Sequence, residues 1–119
     1  MPNRPSLTQP AEFTRLKKKK NKPPDSAKIH GNDITAGDTV TVKGTHGNSP
    51  TIWKGTIHRD KNPDGSYKTE DLKVESEEHN YEKEKDSDAA GTEDVSVTVT
   101  NPMTGTSNEV RTPNVPVIP

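Results

Sequence analysis

The chain contains no cysteine, which excludes disulfide bridges, thiolate metal sites and cysteine nucleophiles. Aromatic residues are almost as scarce, with one Trp, two Tyr and one Phe. Leu, Ile, Val and Phe together make only 18 of the 119 residues, so any core is small and a partner surface would help to hold it. No run approaches the roughly 18 to 20 apolar residues of a membrane-spanning helix, and no membrane partner is expected. The basic run at 17–20 is followed by Asn21, Lys22, Pro23 and Pro24, not by an apolar stretch, so no secretory leader is expected either.

What is present is an uneven distribution of charge. The formal net charge of −1 hides two halves of opposite sign. Residues 1–28 hold eight Lys or Arg against Glu12 and Asp25, a net of +6. The other 91 residues hold nine basic and sixteen acidic groups, a net of −7. Five of the eleven prolines also fall in residues 1–28, where they disfavour helix and ladder and favour extended backbone. A short helical turn over residues 10–16 is the one local exception that the pattern allows.

These features predict two parts: residues 1–28 as an extended, basic, proline-rich attachment arm, and residues 29–119 as a β-sandwich. Within the arm, Phe13 and Leu16 have no reason to sit in a solvated linker, and they read as anchors for a partner's pocket. Arg15, Lys17, Lys18, Lys19, Lys20 and Lys22 would supply salt-sensitive attraction to an acidic protein surface.

The remainder alternates like strands separated by turns. Residues 39–43 place Val40 and Val42 on one face. Residues 52–58 form the next strand, with Gly55 a candidate bulge. Asn62-Pro63-Asp64-Gly65 is a hairpin turn, after which 67–74 returns with Leu72 and Val74 inward. The acidic stretch 75–94 reads as a solvated surface, with a weak strand around Tyr81. Val95, Val97 and Val99 line one face of the cleanest strand. Asn101 to Gly105 is a turn, and 106–112 and 115–119 are extended. With so few aromatics, Trp53 reads as the centre of the core.

Two stretches resemble the IPT/TIG immunoglobulin-like domain. The first is Ile34-Thr35-Ala36-Gly37-Asp38-Thr39-Val40-Thr41-Val42-Lys43-Gly44-Thr45, similar to that family's opening strand. The second is Val97-Thr98-Val99-Thr100-Asn101-Pro102-Met103-Thr104-Gly105-Thr106-Ser107-Asn108, similar to its closing hairpin. The resemblance implies an all-β, immunoglobulin-like sandwich used for binding and spacing, with no catalytic residue. A basic arm before one such domain is similar in architecture to bacteriophage capsid decoration (cement) proteins. That similarity implies a non-enzymatic virion protein on the capsid surface, bound to the major capsid protein or another large assembly, with room for a homo-oligomer on the shell. Two other classes stay open: a carbohydrate or cell-surface binding module with Trp53, Tyr67 and Tyr81 as a stacking patch, and a nucleic-acid accessory protein using the basic arm.

Other candidate sites have plainer readings. Asp60, Asn62 and Asp64 with Asp71 have the spacing of a calcium loop, but Pro63 stiffens the segment and Pro-Asp-Gly is an ordinary hairpin turn. His30, His46, His58 and His79 lack zinc-ligand spacing. Ser49, Ser66, Ser76 and Ser87 lack the glycine setting of a nucleophile. No cofactor is implied, and nucleic acid is disfavoured by the acidic body and the absence of aromatics in the basic run.

Overall fold

The computed structural model describes residues 3–17, 23–44, 51–77 and 91–118. Among them there is no helix. The elements are β1 (Ser6–Leu7), β2 (Leu16–Lys17), β3 (Lys28–Ile29), β4 (Gly31–Asn32), β5 (Thr39–Gly44), β6 (Thr51–Lys61), β7 (Tyr67–Glu77), β8 (Gly91–Asn101), β9 (Gly105–Thr106) and β10 (Val110–Ile118). The chain is therefore all-β. Residues 10–16 run extended and do not form the helical turn that the sequence allowed.

Alternation builds the long strands. Val40 and Val42 of β5, and Val95, Val97 and Val99 of β8, are all buried, while Thr41 and Thr98 between them are half-buried. Side chains of period two send the valines to one face, and β-branched residues suit the pleated backbone. Strand β6 brings Trp53 and Ile57 to the same core, and Trp53 is completely buried, as the scarcity of aromatics suggested. Strands β6 and β7 change register between Lys54 and Thr56, so Asp71 and Leu72 lie opposite Gly55. A side chain at Gly55 would come within 2.6 Å of the Glu70 carbonyl oxygen, so the close backbone approach at this bulge requires glycine.

The main sheet runs β2-β10-β8-β5-β6-β7-β3, with β9 paired to β8. Every neighbouring pair is antiparallel except β2 with β10, which is parallel through Leu16 opposite Val117 and Lys17 opposite Ile118. The two edges of that path also meet. Glu12 bridges Lys28 and Arg15 bridges Asp25, both antiparallel, while β1 pairs with β4 in the same sense. Hydrogen bonding therefore returns on itself around seven strand positions. An odd ring of alternating strands must contain one parallel pair, and β2 with β10 is that pair.

This arrangement corrects the expected boundary at residue 28. Residues 3–17 and 23–32 form a two-sided ribbon that joins the sheet's edges, and they do not form an extended arm. Leu7, Ala11 and Leu16 are three of the fifteen buried apolar residues among those described, and Leu16 is completely buried. Phe13 is half-buried and packs against the same cluster. The Asn108 side chain stands in for a strand: its Oδ1 accepts from Leu7 N at 2.8 Å and its Nδ2 donates to Leu7 O at 3.0 Å. The physical reason is the small core. A chain with so few apolar residues does not complete its interior without Leu7, Ala11 and Leu16.

Replacing Leu16 by Ala should therefore cost about 2–5 kcal/mol of folding stability, measured by urea denaturation. A free arm would give no change.

Candidate interaction surface

The residues expected to bind a partner separate into two groups. Leu16 lies inside the protein and Phe13 lies half-inside, so neither is a free anchor. Arg15 and Lys17 both engage Asp25, at 3.1 Å from Arg15 Nε to Oδ2 and 2.6 Å from Lys17 Nζ to Oδ1. Lys18, Lys19, Lys20 and Lys22 lie outside the described residues, as do His46, Ser49, His79, Tyr81, Ser87 and most of the acidic stretch. In sequence, residues 18–22 lie between Lys17 and Pro23, the described ends of the two sides of the ribbon.

The strand registers bring Lys17, Ile118, Gly44, Thr51, Glu77 and Gly91 to one end of the described sheet. The opposite end consists of turns locked by side chains. Asp38, which is 2% exposed, accepts from Thr35 N at 2.8 Å and from Asn101 Nδ2 at 2.7 Å. Asn101 Oδ1 in turn accepts from Met103 N and Thr104 N at 2.9 and 3.1 Å, the geometry of an Asx turn. Met103 projects from this turn and is the exposed large apolar residue among those described.

The calcium-like segment is built as a turn. Asp64 Oδ1 accepts from Ser66 N at 2.9 Å and Ser66 Oγ at 2.5 Å, while Oδ2 pairs with Lys28 Nζ at 3.3 Å. Asn62 Nδ2 donates to Ser66 Oγ at 2.9 Å. Asp60 lies 3.7 Å from Arg59 Nε, and Asp71 occupies the bulge with a φ of 53°. These oxygens serve the turn, a lysine and a bulge, and no group of three metal-ligating side chains occurs among the described residues. The hydrogen bonds from Ser66, first from its hydroxyl and then from its backbone, lower Asp64's pKa from 3.8 to about 2, with Lys28 adding to the effect.

His30 Nε2 meets Glu12 Oε2 at 2.6 Å across the ribbon, and His58 Nε2 meets Glu70 Oε1 at 3.2 Å across β6 and β7. His58 Nδ1 also accepts from Asp60 N at 2.8 Å, which assigns its proton to Nε2 in the neutral ring. Burial of Trp53 removes it from the stacking patch, and the Tyr67 ring lies under Lys61 Nζ at 4.5 Å from its centroid. Two open grooves lie among the described residues. One of about 520 Å³ lies between residues 3–6 and 106–108, and one of about 380 Å³ lies beside Pro23, Lys28 and Lys68.

The sequence did not signal Asp38, Asn101 and Asn108 as a group. Asn101-Pro102 marked a turn, but the partners of these residues stand 63 and 101 positions away. No family model, curated protein or solved structure matches this chain.

Because Asp64 is lowered in the folded state, its stabilising contribution is present above about pH 4 and is lost as pH falls through about 2. Carboxyl NMR titration should show a midpoint near 2, and Ser66→Ala should move it up towards 3.8. An ordinary midpoint in the unsubstituted protein would contradict the turn geometry.

Proposed function

We propose that this chain is a non-enzymatic structural protein that attaches to a large protein assembly, as a capsid decoration protein on a virion, with an immunoglobulin-like body. The connectivity supports that body. The path β10-β8-β5 follows the order of the G, F and C strands of an immunoglobulin sandwich. Strands β7 and β3 with residues 12–15 follow the order of E, B and A, and β6 links the two sets by pairing with both β5 and β7. One feature departs from the antibody pattern: Trp53 stands on β6 and not on the strand corresponding to C.

The observation that carries the proposal is the uneven charge of the sequence: residues 18–22 hold four lysines in five positions, whereas the rest of the chain carries a net charge of −5 against the overall −1. Attachment is therefore assigned to this basic run, in place of the extended arm expected from the sequence. The turns tied by Asp38 and Asn101, with Met103 at their tip, lie at the end of the sheet opposite Lys17 and Ile118. Long-range attraction to an acidic shell follows from the lysines and fades as salt screens them.

Pelleting of the full chain with purified empty capsids tests this. Substituting Lys18, Lys19, Lys20 and Lys22 by Ser should weaken binding about tenfold at low salt and much less at ~0.5 M salt. Absence of pelleting at low salt would overturn the decoration role. Binding to duplex DNA, with a steep salt slope that the same substitutions abolish, would transfer the reading to a nucleic-acid accessory protein.

A further inference from the structure

We propose that the groove between residues 3–6 and 106–108 takes up a short, extended peptide of another protein, one that bears a carboxylate, as a strand added between β1 and β9. This site is distinct from the lysine run assigned to attachment.

One wall of the groove is the start of the chain. Pro5 and Leu7 are buried while Arg4 and Ser6 are exposed, the alternation of an extended strand. Ser6 pairs with Asn32, and Thr8 N donates to His30 O at 3.0 Å, so the even-numbered residues turn their peptide groups towards residues 30–32. Odd-numbered residues turn theirs to the other side. At Leu7 the Asn108 side-chain amide fills that side as a neighbouring peptide group would. The Pro5 carbonyl, one repeat earlier, has no such partner among the described residues, and the groove of about 520 Å³ opens there. The opposite wall is β9. Ser107 N donates to Val99 O at 2.8 Å, so Thr106 turns its own N–H and carbonyl away from β8 and towards the groove.

Chain direction explains why no strand of this protein fills the gap. β2 runs parallel with β10, and residues 3–17 keep one direction throughout, antiparallel to residues 25–32 at every pairing. The two walls are therefore parallel to each other, the one break in the alternation of the ring. Side chains alone cross the space between them: Asn108 to Leu7, and the Thr112 hydroxyl to the Ala11 carbonyl oxygen. A peptide entering in the reverse direction is antiparallel to both walls. It restores alternation and pairs with the exposed backbone groups of Pro5 and Thr106, the mode of strand addition to an open edge.

Charge selects the peptide. Arg4 is the one charged side chain lining the groove, and it forms no ion pair among the described residues. A β-carbon at Gly105 would lie 3.4 Å from Arg4 Cδ, so the glycine lets the arginine of one wall lie against the backbone of the other. The other lining side chains are hydroxyls, amides and a proline, which leave this cation uncompensated. A glutamate or aspartate on the outward face of the added strand meets it, and a lysine there is repelled.

NMR of the full, isotope-labelled chain tests this with a capped peptide, Thr-Val-Glu-Val-Thr, whose β-branched residues favour an extended backbone. Its addition should shift the amides of Arg4, Ser6 and Thr106, with a dissociation constant of about 0.1–1 mM. The same peptide with lysine in place of glutamate should bind about tenfold more weakly, and Arg4→Gln should remove that difference. Methylation of the peptide's backbone nitrogens should abolish the shifts, because the added strand then has no N–H to donate. Absence of shifts at roughly 5 mM peptide would overturn the proposal. So would equal binding of the methylated peptide, or equal shifts from acetate alone, since either makes the groove an anion site with no strand in it.

Discussion

The fold depends on a few backbone pairs at the seam where the ribbon joins the sheet's edges. Lys28 pairs with Glu12 on one side and with Lys68 on the other, and Leu16 lies opposite Val117. Without this seam, β10 and β7 would each present open edges, and Leu16, Ala11 and Leu7 would leave the core. Edges of that kind invite pairing with other chains, and closing them is the usual remedy. Here the cover is a short segment pinned by three apolar side chains and an asparagine bracket.

The same economy appears at the turns. A protein with few apolar residues has little packing energy with which to position loops, so polar side chains take over that role. Buried Asp38 ties the 35–38 turn to Asn101, and Asn101 shapes the 102–104 turn that carries Met103. At the β6–β7 hairpin, Ser66 and Asp64 form the same sort of local lock, with Lys28 of the ribbon attached to it. Among the described residues, Asn62, Asp64 and Ser66 are thus bonded to one another and to the backbone of their own turn. The turns at this end of the sheet are held by side chains of the chain itself.

Much of the sheet could be read along the chain. Valine alternation located β5 and β8, Pro63-Asp64-Gly65 located the hairpin between β6 and β7, and Gly55 marked the bulge. Each of these signals is local, since period-two patterning and turn chemistry act over a few residues. The binding site read from the sequence fared differently. Phe13 and Leu16 were read as anchors for a partner's pocket, because composition does not say against which surface an apolar pair is buried. Proline density and lysine density suggested a foreign one, whereas the structure supplies the chain's own β3 and β10.

By itself, the sequence determined an all-β chain, the positions of its long strands and turns, the central place of Trp53 and the division into a basic beginning and an acidic remainder. Tertiary structure alone decided that residues 3–17 and 23–32 are part of the body, that β2 and β10 lie in parallel, and that Asp38, Asn101 and Asn108 serve as fasteners. Strand identity follows from neighbours two residues apart, which a linear reading captures. Edge closure follows from pairings across a hundred residues, and those are chosen only when the whole small core competes for every apolar group it can enclose.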